Sequence, residues 1–147
     1  MHNLVVSENR YTFAPRMKKI MFMIPLAAFA LIACHESLED RAERECKEQT
    51  EKYCPVPVSE YVISDSMAFE RATKTFHYYY SLRGVADTTA LPEKEARQEM
   101  LEALRSSTQL KAYKEAGFNF QYTYFSTKHP GQKIIDITFT PKDYEAR

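Results

Sequence analysis

The chain has 147 residues, enough for one folded domain, and its 20 basic residues balance its 20 acidic ones. Neutral overall charge, with no basic stripe interleaved with aromatics, offers nothing to a phosphate backbone, so nucleic acid is not an expected partner. Three scattered glycines, Gly84, Gly117 and Gly131, also exclude a glycine-rich phosphate loop.

Residues 20–33 form a 14-residue apolar run preceded by Arg16, Lys18 and Lys19, the pattern of a basic region followed by a signal-peptide core. The run is too short for a spanning helix, which needs roughly 20 apolar residues. It ends in Leu31-Ile32-Ala33-Cys34, which resembles the lipobox of bacterial lipoproteins, where a small residue precedes the cysteine that receives lipid. The resemblance implies that residues 1–33 are a signal peptide and that Cys34 is acylated. The expected partner is then a membrane, reached through a lipid anchor. The expected location is the cell envelope, at the outer membrane, on its periplasmic side or at the cell surface. Met17-Lys18-Lys19 has the form of a signal-peptide start, which points to Met17 as the initiator; translation of residues 1–16 would leave the same mature chain. Removing residues 1–33 removes Arg10, Arg16, Lys18 and Lys19 against Glu8, so the mature chain is mildly acidic.

From Glu36 to Lys52 the composition is almost wholly charged or amide, with opposite charges four apart at Asp40 and Arg44, Glu43 and Lys47, and Glu48 and Lys52. That spacing predicts a helix. Its apolar stripe, Leu38, Ala42 and Cys46, is thin, so residues 34–54 are expected to be a solvated helical spacer rather than a partner-binding or coiled-coil helix. The acidic residues after Cys34 also resemble the surface-export signals of some Bacteroidota lipoproteins. With Cys34 taken by lipid, Cys46 and Cys54 make an even pair in an exported chain, for which one disulfide is the simplest expectation. Eight helical residues would separate them by about 12 Å, whereas a bridge needs alpha carbons within roughly 7 Å, so the expected helix ends near residues 48–51.

After Pro55-Val56-Pro57 the composition turns aromatic, and a single domain is expected over residues 55–147. Residues 74–82 alternate Phe76, Tyr78, Tyr80 and Leu82 against His77, Tyr79 and Ser81, the period of a half-buried strand, with residues 67–71 as its hairpin partner. Leu91-Pro92-Glu93 opens a helix whose apolar face is Ala96, Met100, Leu101 and Leu104, and a shorter helix with Leu110 and Tyr113 stops at Gly117. Residues 118–126 and 133–140 alternate again, around a turn at Pro130-Gly131. The expected class is α+β: a four-stranded, mostly antiparallel sheet in the order ββααββ, with helices packed on one face. The predicted interior is Phe76, Tyr78, Tyr80, Phe120, Tyr122, Ile135, Ile137 and Phe139 together with Met100, Leu101 and Leu104.

The segments Tyr53-Cys54-Pro55, Lys74-Thr75-Phe76-His77-Tyr78-Tyr79-Tyr80, Leu110-Lys111-Ala112-Tyr113-Lys114 and Thr138-Phe139-Thr140-Pro141 resemble a family of small exported bacterial domains with no assigned function, over residues 53–144. The resemblance implies no site. In the residues themselves, His35 and His129 have no metal partner by spacing, and no nucleophile is placed beside a base. Neither catalysis nor a metal or other cofactor is expected. The best constellation is the opposite face of the sheet, with His77, Tyr79, Gln121, Thr123, Phe125, Asp136 and Thr138, on which a His77 to Asp136 pair could orient an imidazole. The expected function is a non-catalytic binding module for a protein of the envelope. The alternatives are an inhibitor or immunity-type protein that blocks an enzyme, and a structural envelope component.

Overall fold

A computed structural model describes residues 36–87 and 93–145. The signal peptide, Cys34 and Pro92 lie outside the described residues. The first element is helix α1, Leu38–Tyr53. Ser37 caps it, its hydroxyl accepting from the Asp40 N–H at 3.0 Å, while Glu39 and Asp40 in the first turn and Lys52 in the last suit the helix dipole.

This helix corrects two expectations. It is not a solvated spacer: Ala42 and Cys46 are 0% and 2% exposed and belong to the core, with Leu38 packed against it. The stripe is thin because its residues are small, and small side chains let the helix backbone lie close to the aromatic sheet. Nor does α1 stop at residues 48–51. It continues to Tyr53, and both Cys46 and Cys54 are free thiols, because the unbroken helix holds them apart.

Five strands follow: β1 (Val56–Pro57), β2 (Val62–Glu70), β3 (Thr75–Leu82), β4 (Asn119–Ser126) and β5 (Lys133–Phe139), ordered in space as in sequence. The expectation of four mostly antiparallel strands is therefore corrected twice. The two-residue β1 joins the sheet beside β2, and the central β3 and β4 are parallel, giving a mixed sheet. The reason lies in the connection. The β2–β3 and β4–β5 links are tight turns, which reverse the chain. Between β3 and β4 the chain passes through helices α2 (Glu93–Ser106) and α3 (Lys111–Glu115), a crossover that returns it to the starting end.

The register puts Phe76, Tyr78 and Tyr80 beside Phe120, Tyr122 and Tyr124, and these in turn beside Phe139, Ile137 and Ile135. All are on the helix-covered face, as the alternation predicts. Phe76 and Phe120 stack at 5.6 Å, Tyr78 and Tyr122 at 4.9 Å, and Tyr80 and Tyr124 at 4.7 Å, an aromatic ladder across the parallel pair. Phe118, Tyr113 and Leu104 close one end of the core. Gly117, at φ +75°, ends the α3 turn as expected. A last helix, α4 (Pro141–Glu145), buries Tyr144, whose hydroxyl donates to the Phe118 carbonyl at 2.9 Å.

Candidate functional site

The seven residues expected to share the outer face do share it. In the parallel register His77 lies beside Gln121 and Tyr79 beside Thr123, and in the antiparallel one Thr123 meets Asp136 and Gln121 meets Thr138. Tyr79 and Phe125 approach at 6.4 Å between ring centres. The face does not contain the His77 to Asp136 pair, because β4 runs between their strands. The carboxylate of Asp136 is instead engaged locally: it accepts from Gln121 at 2.7 Å, from Thr123 at 3.1 Å and from Lys133 at 2.6 Å. These donors, Lys133 foremost, hold its pKa below the ordinary carboxylate value. His77 has Glu70 at 3.7 Å. Thr123, expected to be solvated, is 2% exposed beneath its neighbours. Among the described residues no three His, Cys, Asp or Glu side chains converge as a metal-binding group.

The larger feature is on the other face. α1 lies over β2 and α2 lies towards β5, and the tyrosine rows between them are only half-buried. Two adjoining hollows result, both bordered by Ala103 of α2. One, of about 580 Å³, lies between α1 and α2 over Tyr78, Tyr80 and Tyr122. The other, of about 610 Å³, extends over Tyr124, Leu82 and Ile135 towards Tyr61 and is walled by Ala96, Glu99 and Met100. Together they make a cleft with an aromatic floor.

Its electrostatics follow from its walls. Burial pushes the Tyr122 hydroxyl up to about 12, and it raises the hydroxyls of Tyr78, Tyr80 and Tyr124 in the same direction. The floor is therefore uncharged at neutral pH and presents phenolic O–H groups. Both rims carry carboxylates. Glu45 and Glu48 line the α1 side, and Glu95 and Glu99 the α2 side. On the α1 side both carboxylates are paired: Glu45 accepts from the Tyr113 hydroxyl at 2.8 Å and meets Arg41 at 2.6 Å, and Glu48 has Lys52 at 3.5 Å and Arg44 at 3.7 Å. Glu95 and Glu99 have no ion-pair partner among the described residues. An apolar, weakly polar-tipped floor beside the unpaired acids of the α2 rim suits an apolar segment with a basic group on that side.

Sequence reasoning placed the tyrosines on the correct face but counted them as closed core. The available signal was their chemistry: a row of tyrosines rather than leucines or phenylalanines is suited to a surface where one end of the ring stays wet.

Residues 37–135 match the family described as a domain of unknown function, DUF8479. No curated protein matches the chain. Among solved structures, a protein of Pseudomonas aeruginosa described as secreted is similar, with a TM-score of 0.62 and 15% identity over 72% of this chain and 91% of its own. The EpsS pilotin of the Vibrio vulnificus type 2 secretion system has a TM-score of 0.60 and 12% identity over 74% of this chain and 93% of its own. The AspS pilotin of the Vibrio cholerae type II secretion system has a TM-score of 0.54 and 12% identity over 71% and 90%. At these identities the likeness is one of fold.

Proposed function

The chain belongs to the DUF8479 family, and we propose that it is an envelope lipoprotein, acylated at Cys34, whose domain is a non-catalytic module that holds an apolar segment of a protein partner in the α1–α2 cleft. The observation that carries this reading is the cleft itself: paired, half-buried tyrosines left open between two helices, with Glu95 and Glu99 on the α2 rim. The shared fold with two secretion-system pilotins and a secreted protein supports an assignment among exported interaction modules. Ala103 borders both hollows and is exposed, so Ala103→Trp obstructs the cleft where they adjoin, at little cost to folding. Affinity capture from envelope extract with the wild-type domain should retain a protein that Ala103→Trp loses and the outer-face variant Thr138→Ala keeps. Capture that Ala103→Trp leaves unchanged would refute the assignment to the cleft.

A further inference from the structure

The end of the domain next to Cys34 is built unlike the other. Four acidic side chains follow Cys34 closely in sequence, and each is held by a cation of the fold: Glu36 by Arg44 at 2.8 Å, Glu39 by Lys74 at 3.0 Å, and Asp40 and Glu43 by Arg71 at 2.6 and 2.9 Å. Arg71 and Lys74 belong to the β2–β3 turn, so the start of α1 is fastened to that turn. From there α1 runs antiparallel to β2, with Asp40 at Arg71, Thr50 at Met67 and Cys54 near Ser64. The start of β4 lies at the same end, where the Asn119 amide donates to the Thr73 carbonyl at 2.9 Å.

Sixteen helical residues at 1.5 Å each make α1 about 24 Å long, so the two ends are well separated. At the far end are Tyr53, β1 and Tyr61, whose carbonyl accepts from the Arg83 N–H at 3.0 Å. The hollow bordered by Ser59 and Tyr61 lies there. Two residues, His35 and Glu36, separate Cys34 from the capping Ser37, and three residue steps of fully extended chain reach at most about 11 Å.

Taking the acylation of Cys34 as given, we infer that the domain stands directly on the lipid headgroups on the end formed by the start of α1 and the β2–β3 turn, with the cleft held towards the aqueous side. Because α1 is part of the core, the folded domain begins within three residues of the anchor. The ion pairs offset most of the negative charge at the membrane-facing end, which reduces repulsion from anionic headgroups within a Debye length. A partner then enters the cleft from the side away from the bilayer.

The test uses the full chain, processed and acylated in cells, then reconstituted into phosphatidylethanolamine/phosphatidylglycerol vesicles that contain a lipid spin-labelled on its headgroup. A fluorophore is attached through Ala72→Cys in the β2–β3 turn or through Val58→Cys at the far end, both exposed, in a Cys54→Ser background. The label at 72 should be quenched several-fold more strongly than the label at 58. A Gly/Ser segment of about ten residues inserted between His35 and Glu36 should remove most of that difference. Equal quenching at the two positions in vesicle-bound protein, or stronger quenching at 58, overturns the orientation. Protein that does not float with the vesicles overturns the acylation on which the inference rests, and the two failures are distinguishable.

Discussion

Thr50, in the last turn of α1, hydrogen-bonds both backbone groups of Met67: its hydroxyl accepts from the N–H at 2.8 Å and donates to the carbonyl at 2.9 Å. One helix side chain thereby serves the free edge of β2 beyond the reach of the short β1, much as a neighbouring strand would. Thr50→Val keeps the shape and removes both bonds, leaving a partly buried N–H and carbonyl unpaired. It should cost about 1–3 kcal/mol in urea unfolding, while Thr50→Ser should recover most of that. An unaffected Thr50→Val would mean that α1 is not fastened at this point.

Cys46 and Cys54 should both titrate as thiols once the protein is denatured without reductant. In the native state Cys54 should react readily and Cys46 slowly, since Cys46 is 2% exposed and burial pushes its pKa up to about 12, suppressing the reactive thiolate. An intact mass lower by two hydrogens than the reduced form would restore the bridge that the helix excludes.

What the sequence showed and hid can be read from these same residues. The alternation around Phe76, Phe120 and Ile137 identified the buried face, because burial on one side of a strand imposes a period of two. Alternation carries no direction, however, so the parallel pairing of β3 and β4 was invisible, and β1, at two residues, has no period. The burial of α1 was missed because Ala42 and Cys46 contribute little to an apolar tally, although small size is what permits close packing. The cleft was missed because a tyrosine under a helix and a tyrosine beside one have the same letter.

The assignment of faces predicts a contrast in stability. Phe120, fully buried and stacked on Phe76, should lose about 3–5 kcal/mol on truncation to alanine, whereas exposed Thr138→Ala should stay within about 0.5 kcal/mol. Thr123 falls between them despite lying on the outer face. It is buried and donates to Asp136, so Thr123→Ala should cost about 1–2 kcal/mol. A tolerated Phe120→Ala would reverse the two faces.

Asp143 gives the fold a dependence on acid pH. Its carboxylate accepts from the Thr140 N–H and hydroxyl, both at 2.8 Å, and from Arg97 at 2.7 Å, capping α4. The Thr140 N–H is the foremost cause of its lowered pKa, and the Thr140 hydroxyl and Arg97 add to it against the opposing effect of burial. Since the folded value lies below the unfolded one, near 3.9, the stabilisation is complete above about pH 4 and is lost as pH falls through the lower folded value. Asp143→Asn should weaken the fold by about 1 kcal/mol at pH 7 and flatten its decline below pH 4. An unchanged acid limb in thermal melts would assign the decline to other carboxylates.

The proposal that the cleft between α1 and α2 is the working surface is tested most directly in intact cells, by photo-crosslinking from one position at a time. A photoreactive side chain replacing Gln49, on the α1 wall, should give a discrete protein adduct that disappears when Ala103→Trp is added. The same group replacing Thr138, on the helix-free face, should give none. An adduct from position 138 in place of one from position 49, or an adduct at 49 that persists with Ala103→Trp, would contradict the account.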